Sequence, residues 1–279
     1  MENAIASAAE KFGLTHLQKV SVSTDRAVVF ARSEEYGPVV LKLDTDWSQL
    51  EDSCNMLEKL QSECCSQVFH FEKCSQQISR NRSISYGLML SERILPGTSL
   101  RQEASMQKRI QVFCDLFRRI HRKDPWGQEY LQWLKDMVEY SKMYLGASRL
   151  RDMVSKAYAI CLEMYEKYPC SFLLHGDLHH DNMVLAQDGT YRIIDPKAVG
   201  GPEILDTPRF LLNELGMGSQ DEEAHIRQCI AMIHSRLGYP REDLCKAFYM
   251  ETVLANLWRM EDGDEPLYEQ LALAERILE

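Results

Sequence analysis

The spacing of apolar residues changes near residue 95, and this change constrains the fold more than any other feature of the sequence. Before it, β-branched runs such as 26–33 and 37–44 predict strands of an antiparallel meander, with one helix after Asp46. After it, apolar residues recur mainly at helical spacing, and only short strand-like runs interrupt them. We predict an α+β fold with two lobes: a small, antiparallel, β-rich N-lobe (residues 1–95) and a larger, mainly helical C-lobe (residues 96–279).

The overall charge and the cysteine pattern exclude several classes of protein. A formal net charge of −10 at pH 7 argues against binding to nucleic acids or to anionic membranes. No apolar run is long enough to cross a bilayer, and the N-terminal residues lack the basic start and apolar stretch of a signal peptide. The 9 cysteines form no C-x-x-C pair, which is typical of reduced thiols. We therefore expect a cytoplasmic protein without nucleic-acid or membrane partners.

The segment LLHGDLHHDNMVL (residues 173–185) concentrates polar side chains between apolar runs. A zinc site is disfavoured, because His175 and His179 would ligate one ion from a shared helix, which Gly176 and the flanking strands oppose. Phosphoryl transfer fits the segment better. Asp177 and Asn182 lie five residues apart, as do the Asp and Asn of the kinase catalytic loop H-R-D-x-x-x-x-N.

Two further residues have the types and positions that phosphoryl transfer requires. Asp195 follows a predicted hairpin with the turn QDGT, so it returns toward the loop and offers a hard oxygen ligand for Mg²⁺. Lys42 ends the run VVLK, which has the form of the kinase V-A-I-K lysine that contacts nucleotide phosphates. The next helix should supply an acidic partner for this lysine, and we choose Glu51 over Asp52 and Glu58.

Several segments, spread over most of the chain, point to one known family. They are HGDLHHDNMVL, IIDPKAVGGPEILDTPRFLLNE, VVLKL, LMLSERILPGTSL and FRRIHRKDP. Together they resemble the aminoglycoside phosphotransferase family, and IDPK followed by Gly-Pro and a later Asp is most similar to its streptomycin 6-kinase and hydroxyurea-resistance branch. The resemblance implies a two-lobed protein-kinase-like fold, ATP and Mg²⁺ as cofactors, and a hydroxyl acceptor on a small molecule.

The resemblance also implies roles for individual residues. Asp177 would be the catalytic base, and Asn182 and Asp195 would be the Mg²⁺ ligands. Lys42, paired with Glu51, would bind the nucleotide phosphates. The expected supporting residues are His175, which would orient the loop, and Asp206, which would fix the segment after Asp195. His179, His180 and Asp181 would be structural or would support the site residues without touching the substrate.

The adenine and the phosphates would contact mainly backbone groups. The connector SERI would hold adenine through the backbone of Glu92 and Ile94, with Ser91 and Arg93 as an alternative shifted by one residue. The sequence has no glycine-rich phosphate loop. The side chains expected to replace it, together with nearby backbone N–H groups, are Ser21, Ser23 and Thr24.

The sequence leaves more than one interpretation of the acceptor. Residues 201–279 contain 16 acids and 7 Lys or Arg, and an acidic cluster follows the apolar helix that contains Trp258. The residues of this cluster are Glu261, Asp262, Asp264 and Glu265. This charge favours a cationic acceptor such as an aminoglycoside antibiotic, so we predict an antibiotic-resistance kinase. The alternatives are a metabolic kinase for choline, a sugar or an amino acid, and a nucleotide-binding pseudokinase without activity. The oligomeric state stays open.

Overall fold

A computed structural model describes residues 1–60, 64–79, 82–124, 129–146, 148–217 and 220–279. The strands, in chain order, are β1 (Thr15–Val22), β2 (Arg26–Ser33), β3 (Gly37–Asp44), β4 (Val68–Ser79), β5 (Arg82–Glu92), β6 (Pro96–Ser99), β7 (Arg122–Lys123), β8 (Phe172–Leu174), β9 (Met183–Ala186), β10 (Tyr191–Ile193) and β11 (Val199–Gly201). The helices, in chain order, are α1 (Glu2–Lys11), α2 (Trp47–Leu60), α3 (Met106–Ile120), α4 (Tyr130–Tyr144), α5 (Arg149–Lys167), α6 (Thr207–Leu212), α7 (Glu222–Leu237), α8 (Arg241–Glu261) and α9 (Tyr268–Leu278).

The described residues form two compact units. The first unit comprises Met1–Ser99 and Met183–Lys197, and the second comprises Leu100–Asn182 and Ala198–Glu279. The first unit therefore extends past the boundary that the sequence indicates at residue 95, and it includes a segment from much later in the chain. Strand pairing explains this difference, because β6 pairs with β9.

The main sheet of the first unit is antiparallel, with the strand order β1-β2-β3-β5-β4. Alternate residues of β2 are buried, among them Ala27 and Val29, as expected for a sheet with one covered face. Ile5 of α1 belongs to the same buried cluster. The helix α2 begins where the sequence predicts, since Asp46 Oδ1 accepts a hydrogen bond of 3.2 Å from the N–H of Gln49.

The strands β9 and β10 form the hairpin that leads to Asp195, and β6 completes a three-stranded sheet in the order β10-β9-β6. Met183 lies opposite Ile193 in this hairpin. In its turn, Asp188 Oδ1 accepts a 2.9 Å hydrogen bond from the N–H of Thr190, and Gly189 has a φ of +81°. The positive φ explains the glycine of the QDGT turn. The predicted strand–turn–strand segment is therefore confirmed.

Helices α3 to α9 make up most of the second unit, together with a small sheet in the order β11-β8-β7. The helix α8 contacts α4, α5, α6, α7 and α9 and is buried over most of its length. Most of its buried residues are apolar, and the buried acids Asp243 and Glu251 within it need partners. No helix within the described ranges is both long and apolar enough to cross a membrane.

The predicted α+β class is confirmed, with an antiparallel sheet in the N-terminal region and helices in the C-terminal region. The sequence does not predict α6, because its six residues are too few to show a periodic pattern. This short helix matters for the site, since it carries Arg209.

Candidate active site

The loop after β8 is held in place through a buried carboxylate. The two oxygens of Asp206 accept hydrogen bonds of 2.7 Å from the backbone N–H groups of His175 and Gly176. His121 Nε2 lies 2.9 Å from the same carboxylate. The sequence predicts that Asp206 ties down the segment after Asp195, and these hydrogen bonds link the end of that segment to the loop before Asp177. His175 orients that loop as predicted, since its Nδ1 accepts a 3.2 Å hydrogen bond from the Asp177 N–H.

Asp177 and Asn182 lie side by side in this loop. Asn182 Nδ2 donates a 2.9 Å hydrogen bond to the backbone carbonyl of Asp177 and lies 3.4 Å from Asp177 Oδ2. It also lies 3.3 Å from His179 Nε2. Among the described residues, these contacts all use the nitrogen of the amide, so its oxygen stays available as a ligand for a hard cation.

The carboxylate of Asp177 has two cationic or potentially cationic neighbours. His179 Nε2 and Arg209 Nε each lie 3.5 Å from Asp177 Oδ1. Burial acts to raise the pKa of Asp177, but the hydrogen bond to His179 and the charge of Arg209 outweigh it and hold the pKa well below the ordinary value. Asp177 is therefore ionised throughout the neutral range. His179 thus contacts the proposed base directly.

A buried ion cluster anchors the middle of the loop. His180 Nε2 lies 2.8 Å from Glu214 Oε1, and the His180 ring stacks on Phe210 at 4.3 Å between ring centroids. Arg109 donates two hydrogen bonds to Glu214, of 2.8 and 2.6 Å, and His225 Nε2 lies 2.9 Å from Glu214 Oε2. Burial acts to raise the pKa of Glu214, but these hydrogen bonds hold it well below the ordinary value.

The same cluster contains side chains that could ligate a metal. Glu214, His225 and Cys229 place one ligand atom each within 4.8 Å of one another. Both carboxylate oxygens of Glu214 already accept hydrogen bonds from Arg109, and a metal ion would have to displace this guanidinium. The cluster is therefore an anchor for the loop, and the geometry does not favour a metal centre there.

In the first unit, the structure brings together Lys42 of β3 and Asp195. Their ammonium and carboxylate groups form an ion pair. Burial, followed by the charges of Lys197 and Arg26, lowers the pKa of Lys42 to about 7. The carboxylate of Asp195 acts in the opposite direction, because an adjacent anion favours the ammonium form. Asp195 has a φ of +60°, a left-handed conformation that Asp tolerates better than most residues.

The predicted pairing of Glu51 with Lys42 was wrong. Glu51 lies 3.1 Å from Lys73 of β4, and the Lys73 ammonium also lies 3.6 Å from the ring centroid of Trp47. The reason is the rotation of α2. Its apolar face, with Leu50, packs on the sheet beside β4, so Lys73 is the cation that Glu51 reaches.

The remaining predicted nucleotide contacts also lie in the first unit. Ser23 and Thr24 form the turn between β1 and β2, where Ser23 Oγ accepts a 3.0 Å hydrogen bond from the N–H of Arg26. Glu92 ends β5, and Ile94 follows in the connector. The N–H of Glu92 donates a 2.7 Å hydrogen bond to the carbonyl of Gln67, and the N–H of Arg93, from the shifted alternative, donates a 3.1 Å hydrogen bond to the carbonyl of Pro38.

A glycine shapes the end of the connector. Gly97 has a φ of +72°, and a Cβ at this position would lie 2.7 Å from the carbonyl oxygen of Ile94. Both the conformation and the close approach require glycine. Gly97 thus allows the chain to turn close to the carbonyl of Ile94, which a residue with a side chain would not.

With this geometry established, comparison with known proteins identifies the family. The profile of the aminoglycoside/hydroxyurea antibiotic resistance kinase family matches residues 74–263. The chain belongs to the aminoglycoside/hydroxyurea antibiotic resistance kinases. This confirms the resemblance seen in the sequence and makes the chain a small-molecule kinase, a phosphotransferase with an alcohol group as acceptor. Comparison with curated protein sequences gives no match.

Solved structures of low sequence identity share the fold. A thermostable mutant of aminoglycoside phosphotransferase APH(4)-Ia, in complex with ADP and hygromycin B, is 14% identical with a TM-score of 0.70, over 98% of this chain and 95% of that chain. Choline kinase LicA from Streptococcus pneumoniae is 12% identical with a TM-score of 0.67, over 100% and 98%. APH(3'')-Id from Streptomyces rimosus is 15% identical with a TM-score of 0.62, over 91% and 98%.

Sequence reasoning missed two residues near Asp177. Arg209 interrupts the apolar run of α6, and Glu251 is an acid within the mainly apolar run of residues 247–258 in α8. A charged residue inside an apolar helix needs a buried partner of opposite charge, so each could have been suspected. Their pairing could not be predicted, because the two residues are distant in the sequence.

Proposed function

We propose that the chain transfers the γ-phosphoryl group of ATP, with Mg²⁺, to a hydroxyl group of a small cationic molecule such as an aminoglycoside. The observation that carries this proposal is the loop of the second unit, where Asp177 and Asn182 lie side by side in a member of a resistance kinase family. This loop is anchored on both sides of Asp177, by Asp206 and by Glu214. Such anchoring preorganises the carboxylate for an incoming hydroxyl group.

In this proposal, Asp177 orients the acceptor hydroxyl and accepts its proton as the new bond to phosphorus forms. A carboxylate with a depressed pKa is a weak base, so orientation contributes more than early proton removal. A larger contribution from orientation than from proton removal suits phosphoryl transfer, whose transition state is loose and gains most from positioning and charge stabilisation.

The residues present fit a nucleotide with Mg²⁺. The amide oxygen of Asn182 and the carboxylate of Asp195 are hard ligands of the kind that Mg²⁺ prefers. When bound, Mg²⁺ neutralises negative charge on the phosphate oxygens. Lys42 would hold the phosphates through its ammonium group. The groups proposed to complete the nucleotide site are the backbone of Glu92 and Ile94 and the turn residues Ser23 and Thr24.

The acceptor is proposed to be cationic because of the charge of the second unit. Glu261 ends α8, and burial with the charge of Asp262 raises its pKa, as expected where carboxylates crowd together. Trp258 lies one turn earlier on the same helix and could cover an apolar part of the acceptor. The cysteine content supports the proposed location, the cytoplasm.

A screen of ATP consumption tests the proposal. Purified protein would be incubated with ATP, Mg²⁺ and one of three acceptor groups: aminoglycosides including hygromycin B and streptomycin, choline-like amines, or neutral sugars. We expect turnover with at least one amine-bearing compound, and none with the Asp177→Asn variant. Turnover with neutral sugars alone would contradict a cationic acceptor. Absence of turnover with every compound, while ATP still binds, would favour a nucleotide-binding pseudokinase.

A further inference from the structure

Arg209 connects Asp177 to a second, buried acid. Its Nη2 lies 2.8 Å from Glu251 Oε1, and its Nε lies 3.5 Å from Asp177 Oδ1. The guanidinium carbon lies 4.9 Å from the ring centroid of Trp258. All four residues belong to the second unit. A guanidinium between two carboxylates and an indole face occupies the kind of surroundings that recognise organic cations.

Glu251 fixes the position of this guanidinium. Its side chain is only 2% exposed, and it also accepts a 2.5 Å hydrogen bond from the hydroxyl of Tyr130. A buried carboxylate is costly to leave without a cation, so the Arg209–Glu251 pair is hard to separate. Trp258 restricts the guanidinium further, and Trp133 packs edge-on against that indole at 5.5 Å between ring centroids.

The contact between Arg209 and Asp177 is different in kind. The Nε–H of Arg209 is buried and has no hydrogen-bond partner within the described ranges. Asp177 Oδ1 lies 3.5 Å from this nitrogen, close enough for electrostatic attraction to the guanidinium but too far for a strong hydrogen bond. Arg209 therefore orients the carboxylate without a strong hydrogen bond of its own, which leaves Asp177 able to accept one from an acceptor hydroxyl.

We propose that Arg209 is a positioning residue for phosphoryl transfer: an internal cation, anchored by Glu251 and Trp258, that holds Asp177 toward the acceptor hydroxyl. This inference rests on the proposed function for its effect on turnover. It also refines the acceptor class. A cationic group next to the reacting hydroxyl would face the guanidinium of Arg209 and would be repelled by its like charge. The reacting hydroxyl belongs to a neutral part of the acceptor, and the positive charges of the acceptor bind elsewhere.

Removal and replacement of the guanidinium test the proposal. Arg209→Ala should lower kcat by about 10- to 100-fold, the scale expected when a reacting group is misplaced, and leave the KM for ATP unchanged. Arg209→Lys should retain most of the activity because it keeps the charge. Millimolar ethylguanidinium should restore turnover to Arg209→Ala but not to the double variant Arg209→Ala with Glu251→Gln, which lacks the anchor. Arg227→Ala removes an exposed arginine of α7 and serves as the matched control.

Calorimetry with ethylguanidinium separates this inference from the proposed function. Saturable binding is expected for Arg209→Ala, and none for the wild type or the double variant, whether or not an acceptor is phosphorylated. Wild-type kcat in Arg209→Ala, or a loss of kcat that ethylguanidinium does not restore, would overturn the positioning role. Equal ethylguanidinium binding by the wild type and Arg209→Ala would contradict the proposal that the Arg209 side chain itself fills this cation site. If Arg209→Ala does not fold, Arg209→Gln is measured in its place. A kcat of Arg209→Gln equal to that of Arg209→Lys would then overturn the proposal.

Discussion

Replacement of Glu214 by Gln should destabilise the second unit strongly. The carboxylate is fully buried and the Arg109 side chain is 2% exposed, so water does not screen their attraction. Gln keeps the volume of Glu but removes the charge, which leaves the guanidinium buried with the backbone carbonyls of Glu103 and Ala104 as its acceptors. Breaking a buried pair in this way costs about 3–5 kcal/mol of unfolding free energy.

That loss is a large fraction of the stability of an ordinary domain, about 5–15 kcal/mol. It would be measured by urea unfolding followed by far-UV circular dichroism, with the midpoint and the slope compared between variants. Glu223→Gln is the matched control. Glu223 pairs with Arg227 and Arg276 at the surface, and we expect its loss to cost about 1 kcal/mol or less.

The pH dependence provides a second check. The pKa of Glu214 is lower in the folded protein than in the unfolded chain, so folding favours the ionised form. The contribution of Glu214 is therefore fully present at neutral pH and is lost as the pH falls below about 4.3, the ordinary pKa of Glu. A Glu214→Gln variant that loses less than about 1 kcal/mol, or no more than Glu223→Gln, would refute the reasoning.

Further predictions concern the proposed chemistry. Asp177→Asn should lower kcat by about 10² or more while calorimetric ATP affinity stays unchanged; loss of ATP binding instead would contradict its role. Asp195→Asn, chosen because Asn tolerates the φ of +60° at this position, should remove most of the Mg²⁺ dependence of ATP binding, and an unaltered response to chelator would argue against a metal ligand. Neutralising Glu261 and Asp262 together, to Gln and Asn, should raise the acceptor KM but not the ATP KM; an unchanged acceptor KM would mean that these acids only solvate the end of α8.

The parts of the site that are local in sequence could be predicted. Asp177 and Asn182 lie in one short loop, so their spacing alone determines that they come close together. Lys42 lies on a strand whose apolar alternation is clear, and the hairpin before Asp195 carries its own turn signal. In each case a few neighbouring residues contain all the information required.

The parts that depend on packing between distant elements could not be predicted. The wrong pairing of Glu51 shows this, because the partner of an acid at the border of a helix depends on how that helix is rotated on the sheet. Arg209 and Glu251 show it as well, since a short helix and a long one must pack together before their charges meet. The partners of Asp206, the backbone N–H groups of His175 and Gly176, likewise depend on packing between distant segments.

The pairing of β6 with β9 has a consequence for dissecting the protein. Because Met183–Lys197 belongs to the first unit, that unit is not a continuous piece of the chain. A fragment that stops at Ser99 would leave β6 without its neighbouring strand and would uncover Ile94, which packs with Val184. A better fragment would connect Ser99 to Met183 through a tight engineered turn and stop at Lys197, since antiparallel neighbours can be joined by a few residues.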